Sequence, residues 1–514
     1  MSLLRSAMTV GAATMLSRVL GFVRDILMAA MVGAGPVADA FFVAFKLPNL
    51  FRRLFAEGAF NAAFIPLFSG RLESQGEVAA RLFAERVLSV LLLTLVILTV
   101  LAQLGMPWIM RALAPGFADD PDKFADSILF ARIMFPYLLF VSLVALYGGI
   151  LNSLYKFAVP AFAPVLLNII LIVALALIIP IRGAAGQTLS FSVAIAGVAQ
   201  FLLLAYAAHR RGIRLRLPLP RLSEDVKRML VLAVPGAIAG GIAQLNLFIG
   251  NIIASLQDSA ISYLYYADRL YQLPLGVVGT AIGIVLLPDL SRRLRAGDGA
   301  GAHDSQNRAI EFAMLLCLPA TVALLVIPGT IVDILFTRGA FSAQDANATA
   351  MAVAAFAIGL PGYIAIKLLT PAYFAREDTL TPLKFATAGV ALNIALSIAL
   401  FFVLGFVGIA LATSAAAWLN AALLAQRLRR NGQIRLDQRN KTRLPRILGS
   451  AIGLGAALWA GNWLLAPWLG NSMEAIRIAA LALLVSGGGA VYFACAILSG
   501  GLTLADLRKA FRRG

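Results

Sequence analysis

The sequence predicts an all-α membrane protein that crosses the bilayer about fourteen times. Three observations indicate this class: 61% of the 514 residues are hydrophobic, only 13% are charged, and the mean hydropathy is +0.87. Soluble domains carry about 25% charged residues, which cover the apolar core with a polar surface. This chain has too few charges to do so, and we expect much of its surface to face lipid.

Apolar segments recur along the whole chain. A spanning helix needs about 20 predominantly apolar residues. Segments that meet this requirement lie approximately at 7–32, 37–68, 83–110, 127–154, 158–180, 187–209, 225–255, 260–291, 310–336, 345–374, 380–404, 407–428, 444–466 and 474–499. Several contain proline, which removes a helix hydrogen bond, so we expect bends that are either ordinary kinks or hinges for gating.

The basic residues indicate the topology. Arginine and lysine concentrate in the connections that follow the sixth, eighth and twelfth segments, around 210–228, 292–295 and 427–446. Cytoplasmic loops of membrane proteins carry this excess of positive charge. Both termini are therefore predicted to be cytoplasmic, and the net charge of +18 reflects topology, with no indication of nucleic-acid binding.

A faint internal repeat predicts the domain organisation. Pro136 and the tripeptide 167–169 recur as Pro361 and the tripeptide 392–394. A second set recurs at a nearly equal offset: Pro66, Ser69, Arg71 and Leu72 as Pro288, Ser291, Arg293 and Leu294. An even number of helices per copy preserves orientation, so we expect two parallel six-helix lobes with the substrate between them. The predicted boundaries are an N-lobe at 1–215, a C-lobe at 216–430 and a C-terminal helix pair at 431–514.

Charged residues inside the first two apolar segments indicate a binding site. They are Arg18, Arg24, Asp25, Asp39, Lys46, Arg52, Arg53 and Glu57. A charge at the bilayer centre costs roughly 2.5 to 3.5 kcal/mol on insertion scales, so these side chains should face a protein-lined aqueous cavity. Five of the eight are cationic, and the planar fork of arginine suits phosphate oxygens. We interpret the stretch as an anion-binding site.

Mutual pairing is the structural alternative for these charges. Arg18 and Asp25 are seven residues apart and Arg53 and Glu57 are four apart, so each pair shares a helix face. By this spacing Arg24 has no local partner, and neither does Arg52. The two unpaired arginines favour the anion-binding interpretation.

The eighth segment carries the second group of intramembrane charges, Asp268 and Arg269. Adjacent helix residues diverge by about 100°, so the two need not pair with each other. We expect Arg269 to be a further cavity cation, and an ion pair between helices is the alternative. Lys367 is a weaker candidate because a lysine can extend its charge towards the membrane surface.

Other features exclude several kinds of site. Cys317 and Cys495 lie far apart in apolar segments, and His209 and His303 have no second ligand at metal-binding spacing. The sequence therefore predicts neither a metal site nor a cofactor. The last two segments carry almost no intramembrane charge and suit either packing or contact with a long lipid chain.

Four passages resemble one known family, the MurJ (MviN) lipid II flippases of the multidrug/oligosaccharidyl-lipid/polysaccharide exporter superfamily. They are KLPNLFRRLFAEGAFNAAFIPLF (46–68), FPYLLFVSLVALYGGILNSLYKFAVPAFAPVLLN (135–168), YADRLYQLPLGVVGTAIGIVLLPDLSR (266–292) and YFAREDTLTPLKFA (373–386). The passages RRLFAEGAF and ADRLYQLPLGV are especially specific, and together the four span the predicted twelve-helix core.

The resemblance implies a two-lobed flippase of the bacterial inner membrane rather than an enzyme. Such a protein moves lipid II, an undecaprenyl-diphosphate-linked disaccharide pentapeptide, from the cytoplasmic to the periplasmic leaflet for peptidoglycan synthesis, by alternating access. Motif positions imply that the diphosphate is bound by Arg18, Arg24, Arg52 and Arg269. The residues assigned to the cavity or its gating are Asp25, Asp39, Arg53, Glu57 and Asp268. The last two helices would hold the polyprenyl tail, and membrane lipids and proteins of cell-wall synthesis or division are the further partners.

One family feature does not transfer to this chain. Some members couple transport to a sodium site on helices seven, eleven and twelve. Here those helices offer Asn246, Asn251, Asn393 and Thr413, but no acidic residue deep in the seventh. The coupling ion therefore stays open.

Two other functions, export of a different substrate and an enzymatic reaction, fit the charges of this sequence less well. An exporter of another lipid-linked oligosaccharide or of small molecules would share the fold, but a cavity for cationic drugs should be acidic or aromatic, whereas this one is basic. An enzyme acting on a lipid-linked sugar would need carboxylates near the substrate. The paired acids at 224–225 and 377–378 instead lie in predicted cytoplasmic connections.

Overall fold

The structure is a computed structural model that describes residues 3–52 and 60–503. Over these ranges the chain is built from α-helices joined by short connections, and they contain no β-strand. The predicted all-α fold class is confirmed.

Ten helical segments among the described residues are long and apolar enough to cross a membrane. They are Ala63–Leu113, Pro121–Ser153, Ala158–Arg182, Ala185–His209, Gly299–Val326, Ala343–Phe374, Leu380–Leu404, Phe406–Arg430, Gln438–Leu464 and Glu474–Leu498. They coincide with ten of the predicted spans. The other four predicted spans, 7–32, 37–68, 225–255 and 260–291, are helical over their described residues. The chain is thus a polytopic membrane protein, and the count of fourteen spans stays a prediction with which the helices agree.

The chain divides into two compact units, Met1–Ser262 with Arg338–Phe341, and Tyr263–Thr337 with Ser342–Gly514. The first unit contains α1 (Leu3–Val32), α2 (Pro36–Phe51), α3 (Phe60–Leu113), α4 (Pro121–Met134), α5 (Tyr137–Ser153), α6 (Ala158–Val173), α7 (Ile179–Arg182), α8 (Ala185–His209) and α9 (Glu224–Ala254). The helix α10 (Ala260–Arg295) begins at the end of this unit and lies mostly in the second.

Glycine marks two helix boundaries in the first unit. Gly33 ends α1 with φ 76°, and Pro36 begins α2 at a position where its missing N–H costs nothing. Gly76 has φ 82° inside α3 and separates the end of the second predicted span from the third. A side chain with a Cβ rarely adopts these angles, whereas glycine adopts them freely.

Helix pairs build the first unit. α1 packs on α6, α2 on α4, and α3 on both α5 and α9. Phenylalanine side chains of α3 stack on one another in a buried core. The ring centroids are 5.5 Å apart for Phe64 and Phe68 and 5.7 Å apart for Phe64 and Phe83. Val226 and Met229 of α9 join this core. Consequently α9, the first helix of the predicted C-lobe, belongs to the first unit.

The second unit continues with α11 (Gly299–Val326), α12 (Pro328–Phe336), α13 (Ala343–Phe374), α14 (Leu380–Leu404), α15 (Phe406–Arg430), α16 (Gln438–Leu464), α17 (Ala466–Leu469) and α18 (Glu474–Leu498). α13 packs on α11, α12 and α15, and α14 packs on α15. The pair α16 and α18 shares a core with α11, where Tyr492 donates a 2.7 Å hydrogen bond to the Leu315 carbonyl. In the sequence, the first unit therefore gives way to the second at 262–263, whereas the predicted lobe boundary lies at 215–216.

Candidate functional site

The predicted site residues fall in both units. Arg18, Arg24, Asp25, Asp39 and Arg52 belong to the first unit, and Asp268 and Arg269 belong to the second. Arg53 and Glu57 lie outside the described residues, so their predicted roles stay predictions.

Arg24 is the most completely bonded cation of α1. It is 9% exposed, and its Nε and Nη2 donate to Asp25 Oδ1 at 3.1 and 2.7 Å. Its Nη1 donates to Asn168 Oδ1 of α6 at 2.9 Å. Asn168 in turn donates to the Ser17 carbonyl at 2.9 Å, so the amide side chain links Arg24 to the preceding turns of α1. The interpretation that Arg24 has no local partner is wrong, because the adjacent Asp25 pairs with it.

Arg18 lies in a different environment on the same helix. Its side chain is exposed, and within residues 3–52 and 60–503 no hydrogen bond or ion pair involves it. The alternative pairing of Arg18 with Asp25 is therefore not found among the described residues. One arginine of α1 is held in place by a carboxylate, while the other presents its charge at the surface of the unit.

The second cationic group of the first unit lies on α2. Lys46 Nζ donates to Asn251 Oδ1 at 2.7 Å, and Asn251, only 4% exposed, donates to the Leu113 carbonyl at 3.2 Å. Arg52, half-buried, donates from Nε to Asn49 Oδ1 at 3.2 Å. Both cations thus have neutral amide oxygens among their acceptors.

Asp39 forms a buried network at the start of α10. Its carboxylate is fully buried and lies 2.9 Å from Lys123 Nζ. Oδ2 also accepts from the Ser259 backbone N–H at 3.1 Å, and Oδ1 accepts from the Ser262 N–H at 3.0 Å and its hydroxyl at 2.6 Å. Backbone N–H groups at a helix start have no partner within the helix, and a carboxylate is well suited to accept from them. Asp39 therefore fixes the first turn of α10.

In the second unit, Arg269 lies over an aromatic ring. Its guanidinium carbon is 4.6 Å from the Tyr265 ring centroid, and Nη2 donates to the Tyr265 hydroxyl at 3.1 Å. Asp268, on the neighbouring position, accepts from Gln272 one turn later. Cation–π contact orients a guanidinium without neutralising it. The aliphatic stem of Lys367 packs so closely on Gly279 that a Cβ there would lie 2.5 Å from the lysine Cδ.

Three polar partners at these sites were not predicted to act there. Asn168 was noted only within the repeated tripeptide 167–169, and no role was predicted for Lys123. Asn251 was considered for sodium rather than as the partner of Lys46. The signal for Lys123 was present: it is a single cation next to Asp119, Asp120 and Asp122. Within the described part of the chain no cluster of His, Cys, Asp and Glu could hold a metal ion.

Comparisons with known proteins agree over nearly the whole chain. The family model described as "Lipid II flippase MurJ" matches residues 28–478. A "Probable lipid II flippase MurJ" of Rhizobium meliloti is 47% identical over 519 aligned positions, covering 100% of this chain and 97% of the relative. A "Lipid II flippase MurJ" of Burkholderia cenocepacia is 37% identical, covering 84% of this chain and 85% of the relative.

Solved structures show the same fold. The structure "Lipid II flippase MurJ, inward closed conformation" matches with a TM-score of 0.78 and 23% identity, covering 95% of this chain and 98% of the other. An inward-facing multidrug transporter of the MATE family and MOP superfamily matches with a TM-score of 0.69 and 15% identity, covering 83% and 98%. The family match over residues 28–478 and the 47% identity over the whole chain place it in the MurJ family of lipid II flippases.

Proposed function

We propose that this chain is a lipid II flippase that moves the undecaprenyl-diphosphate-linked peptidoglycan precursor from the cytoplasmic to the periplasmic leaflet. The observation that carries the proposal is the match to relatives of that name over the full chain at 47% identity. The reaction is transport: no covalent bond of the substrate changes. The protein would act in the bacterial inner membrane with both termini in the cytoplasm, as the loop charges favour.

The diphosphate is the part of this substrate that opposes crossing. Its charges are strongly hydrated, and moving them through hydrocarbon without compensation costs many kcal/mol. Guanidinium groups compensate such charges with paired hydrogen bonds to phosphate oxygens. We therefore propose Arg18, Arg24, Arg52 and Arg269 as the residues that bind the diphosphate during transport.

The contacts of these arginines support different tasks. Arg18 is exposed, and Arg52 and Arg269 are half-buried, with amide, hydroxyl and ring groups among their contacts. Arg24 already shares its charge with Asp25. In this proposal Asp25 orients Arg24 and lowers the affinity of this site for anions, which allows release of the substrate after crossing.

Alternating access is the mechanism we propose for the movement. It lets the charged head group travel through a protein-lined path while the polyprenyl tail stays in lipid. Asp39, Arg53, Glu57 and Asp268 are proposed as gating residues. The contacts of Asp39 support a gating role. Its carboxylate accepts hydrogen bonds from the backbone N–H and the hydroxyl of Ser262 and so holds the first turn of α10.

Reconstituted flipping tests the function directly. Purified protein in liposomes with fluorescent lipid II in the inner leaflet should expose the label to an outside quencher, while liposomes without protein should not. Omitting or imposing a sodium gradient or a voltage identifies the driving force. Retention of all label inside under every condition would overturn the proposal, provided that a characterised MurJ protein flips the same lipid in parallel.

A further inference from the structure

A pocket outside the proposed transport site lies on the first unit. It has a volume of about 110 Å³ and forms where α8 ends beside the Gly76 turn of α3. Its lining consists of Phe68, Leu72, Glu77, Val78, Arg81, Leu154, Arg211, Gly212 and Ile213. The pocket thus combines an apolar floor with two arginines and one glutamate.

The wall formed by residues 210–222, which we call the α8–α9 connector, is fixed to the rest of the unit. The Arg211 and Ile213 backbone N–H groups both donate to the Ala208 carbonyl, at 2.9 and 3.2 Å, and Gly212 takes φ 83° to allow this turn. Ile213 and Leu215 pack on the buried core. Further along, the Arg216 N–H donates to the buried Glu85 carboxylate of α3 at 3.0 Å. These contacts hold the connector, and with it this wall of the pocket, in a defined position.

The pocket lining contains two cations, Arg81 and Arg211, and one anion, Glu77. Arg81 lies 3.7 Å from Glu85 and its side chain is 43% exposed. The Arg211 side chain is exposed and makes no hydrogen bond or ion pair with any described residue. Glu77 offsets one cation of the lining, and Glu85, outside the lining, pairs with Arg81, so the exposed Arg211 is the cation most available to an anion. An anion that enters the pocket would meet two guanidinium groups, the side chains best suited to phosphate.

Apolar side chains are exposed in the pocket lining and on the connector that follows it in the sequence. Leu217 and Leu219 of the connector are 61% and 79% exposed, and Val78 beside the pocket is 63% exposed. Along the connector Leu217 and Leu219 continue the alternation of Ile213 and Leu215, but no described part of the first unit covers them. The connector follows directly on the span that ends at His209, so these side chains lie at the membrane boundary.

We propose that this pocket binds the phosphate of an anionic glycerophospholipid from the leaflet that faces the connector, predicted to be the cytoplasmic one. Arg81 and Arg211 contact the phosphate oxygens, and Leu217 and Leu219 lie among the acyl chains. Basic segments at the membrane surface attract anionic lipids, and the leucines favour a lipid over a free phosphate ion because only a lipid supplies apolar surface. The site is independent of the diphosphate site proposed for transport.

Native mass spectrometry of the purified full chain tests the proposal, with phosphatidylglycerol, phosphatidylcholine and inorganic phosphate as probes. Wild-type protein should retain phosphatidylglycerol in preference to phosphatidylcholine. The double variant R81Q/R211Q should weaken the retention of phosphatidylglycerol about tenfold, because two charged contacts are lost. The matched control R210Q/R228Q removes the same charge from the same side of the membrane, outside the pocket lining, and should change it less than about twofold.

Further outcomes separate the lipid from other occupants. The double variant L217S/L219S should weaken phosphatidylglycerol about tenfold and leave phosphate unaffected. If R81Q/R211Q does not elute as a folded protein, the L217S/L219S variant still tests whether the pocket binds a lipid. Equal retention by the pocket and control variants, or competition by inorganic phosphate with no effect of the leucine changes, would overturn the lipid assignment. Flipping by R81Q/R211Q in phosphatidylcholine liposomes should equal wild type, so that a failure of this site is distinct from a failure of transport.

Discussion

Arg24 and Asp25 are neighbours in α1 and pair with each other, with Nη2 of the arginine 2.7 Å from Oδ1 of the aspartate. Side chains of adjacent helix residues diverge by about 100°, so helix geometry alone does not bring such a pair together. Here Asn168 of α6 accepts from the free edge of the guanidinium at 2.9 Å. The arginine is thus oriented by two acceptors that lie on two different helices.

Asp25→Ala is expected to destabilise the protein strongly. It leaves a guanidinium that is 9% exposed without its carboxylate, and breaking a buried ion pair from one side costs about 3 to 5 kcal/mol. The measurement is the thermal unfolding midpoint of the purified protein in detergent. Asp258→Ala is the control, because that side chain is 98% exposed and should shift the midpoint little. An unchanged midpoint for Asp25→Ala would show that Arg24 is hydrated in the folded protein.

Arg18→Ala is expected to separate function from stability. The side chain is exposed and has no ion pair among the described residues, so its loss should change the free energy of unfolding by no more than about 0.5 kcal/mol. If Arg18 binds the diphosphate, flipping of fluorescent lipid II should fall by about tenfold or more. Arg182→Ala, an exposed arginine at the end of α7, should flip normally. Normal flipping by Arg18→Ala would remove this residue from the proposed site.

Lys123 and Asp39 should show strong energetic coupling. Lys123→Ala leaves a fully buried carboxylate with hydrogen bonds to Ser259 and Ser262 but without a cation. We expect a loss of about 3 to 5 kcal/mol. A double-mutant cycle with Asp39→Asn, followed by thermal unfolding, should give a coupling energy of about 0.5 to 3 kcal/mol. Additive effects would mean that the two charges contribute independently.

Much of the fold followed from the sequence because lipid imposes a length and a polarity on every spanning helix. The pairing of the charges did not follow. Asp39 meets Lys123 and the start of α10, which are distant in sequence, and spacing within one helix cannot predict such contacts. The rule that adjacent residues diverge was applied to Asp268 and Arg269, whereas at Arg24 and Asp25 the long arginine side chain overcomes that divergence. Seven-residue spacing left Arg18 as an alternative partner of Asp25, whereas Asp25 pairs with Arg24.

The C-terminal helix pair should depend on Glu311 of α11. This carboxylate is 8% exposed and accepts from Arg439 at 2.9 and 3.0 Å and from Arg443 of α16, as well as from Arg308 on its own helix. Glu311→Ala leaves three arginines without this shared acceptor. It should increase hydrogen exchange at the start of α16, measured by mass spectrometry on the purified protein. Asp304→Ala removes a carboxylate that is 67% exposed and lies 3.3 Å from Arg308, and it should leave exchange near wild type. Equal exchange in the two variants would show that apolar packing on α11, rather than Glu311, holds α16 in place.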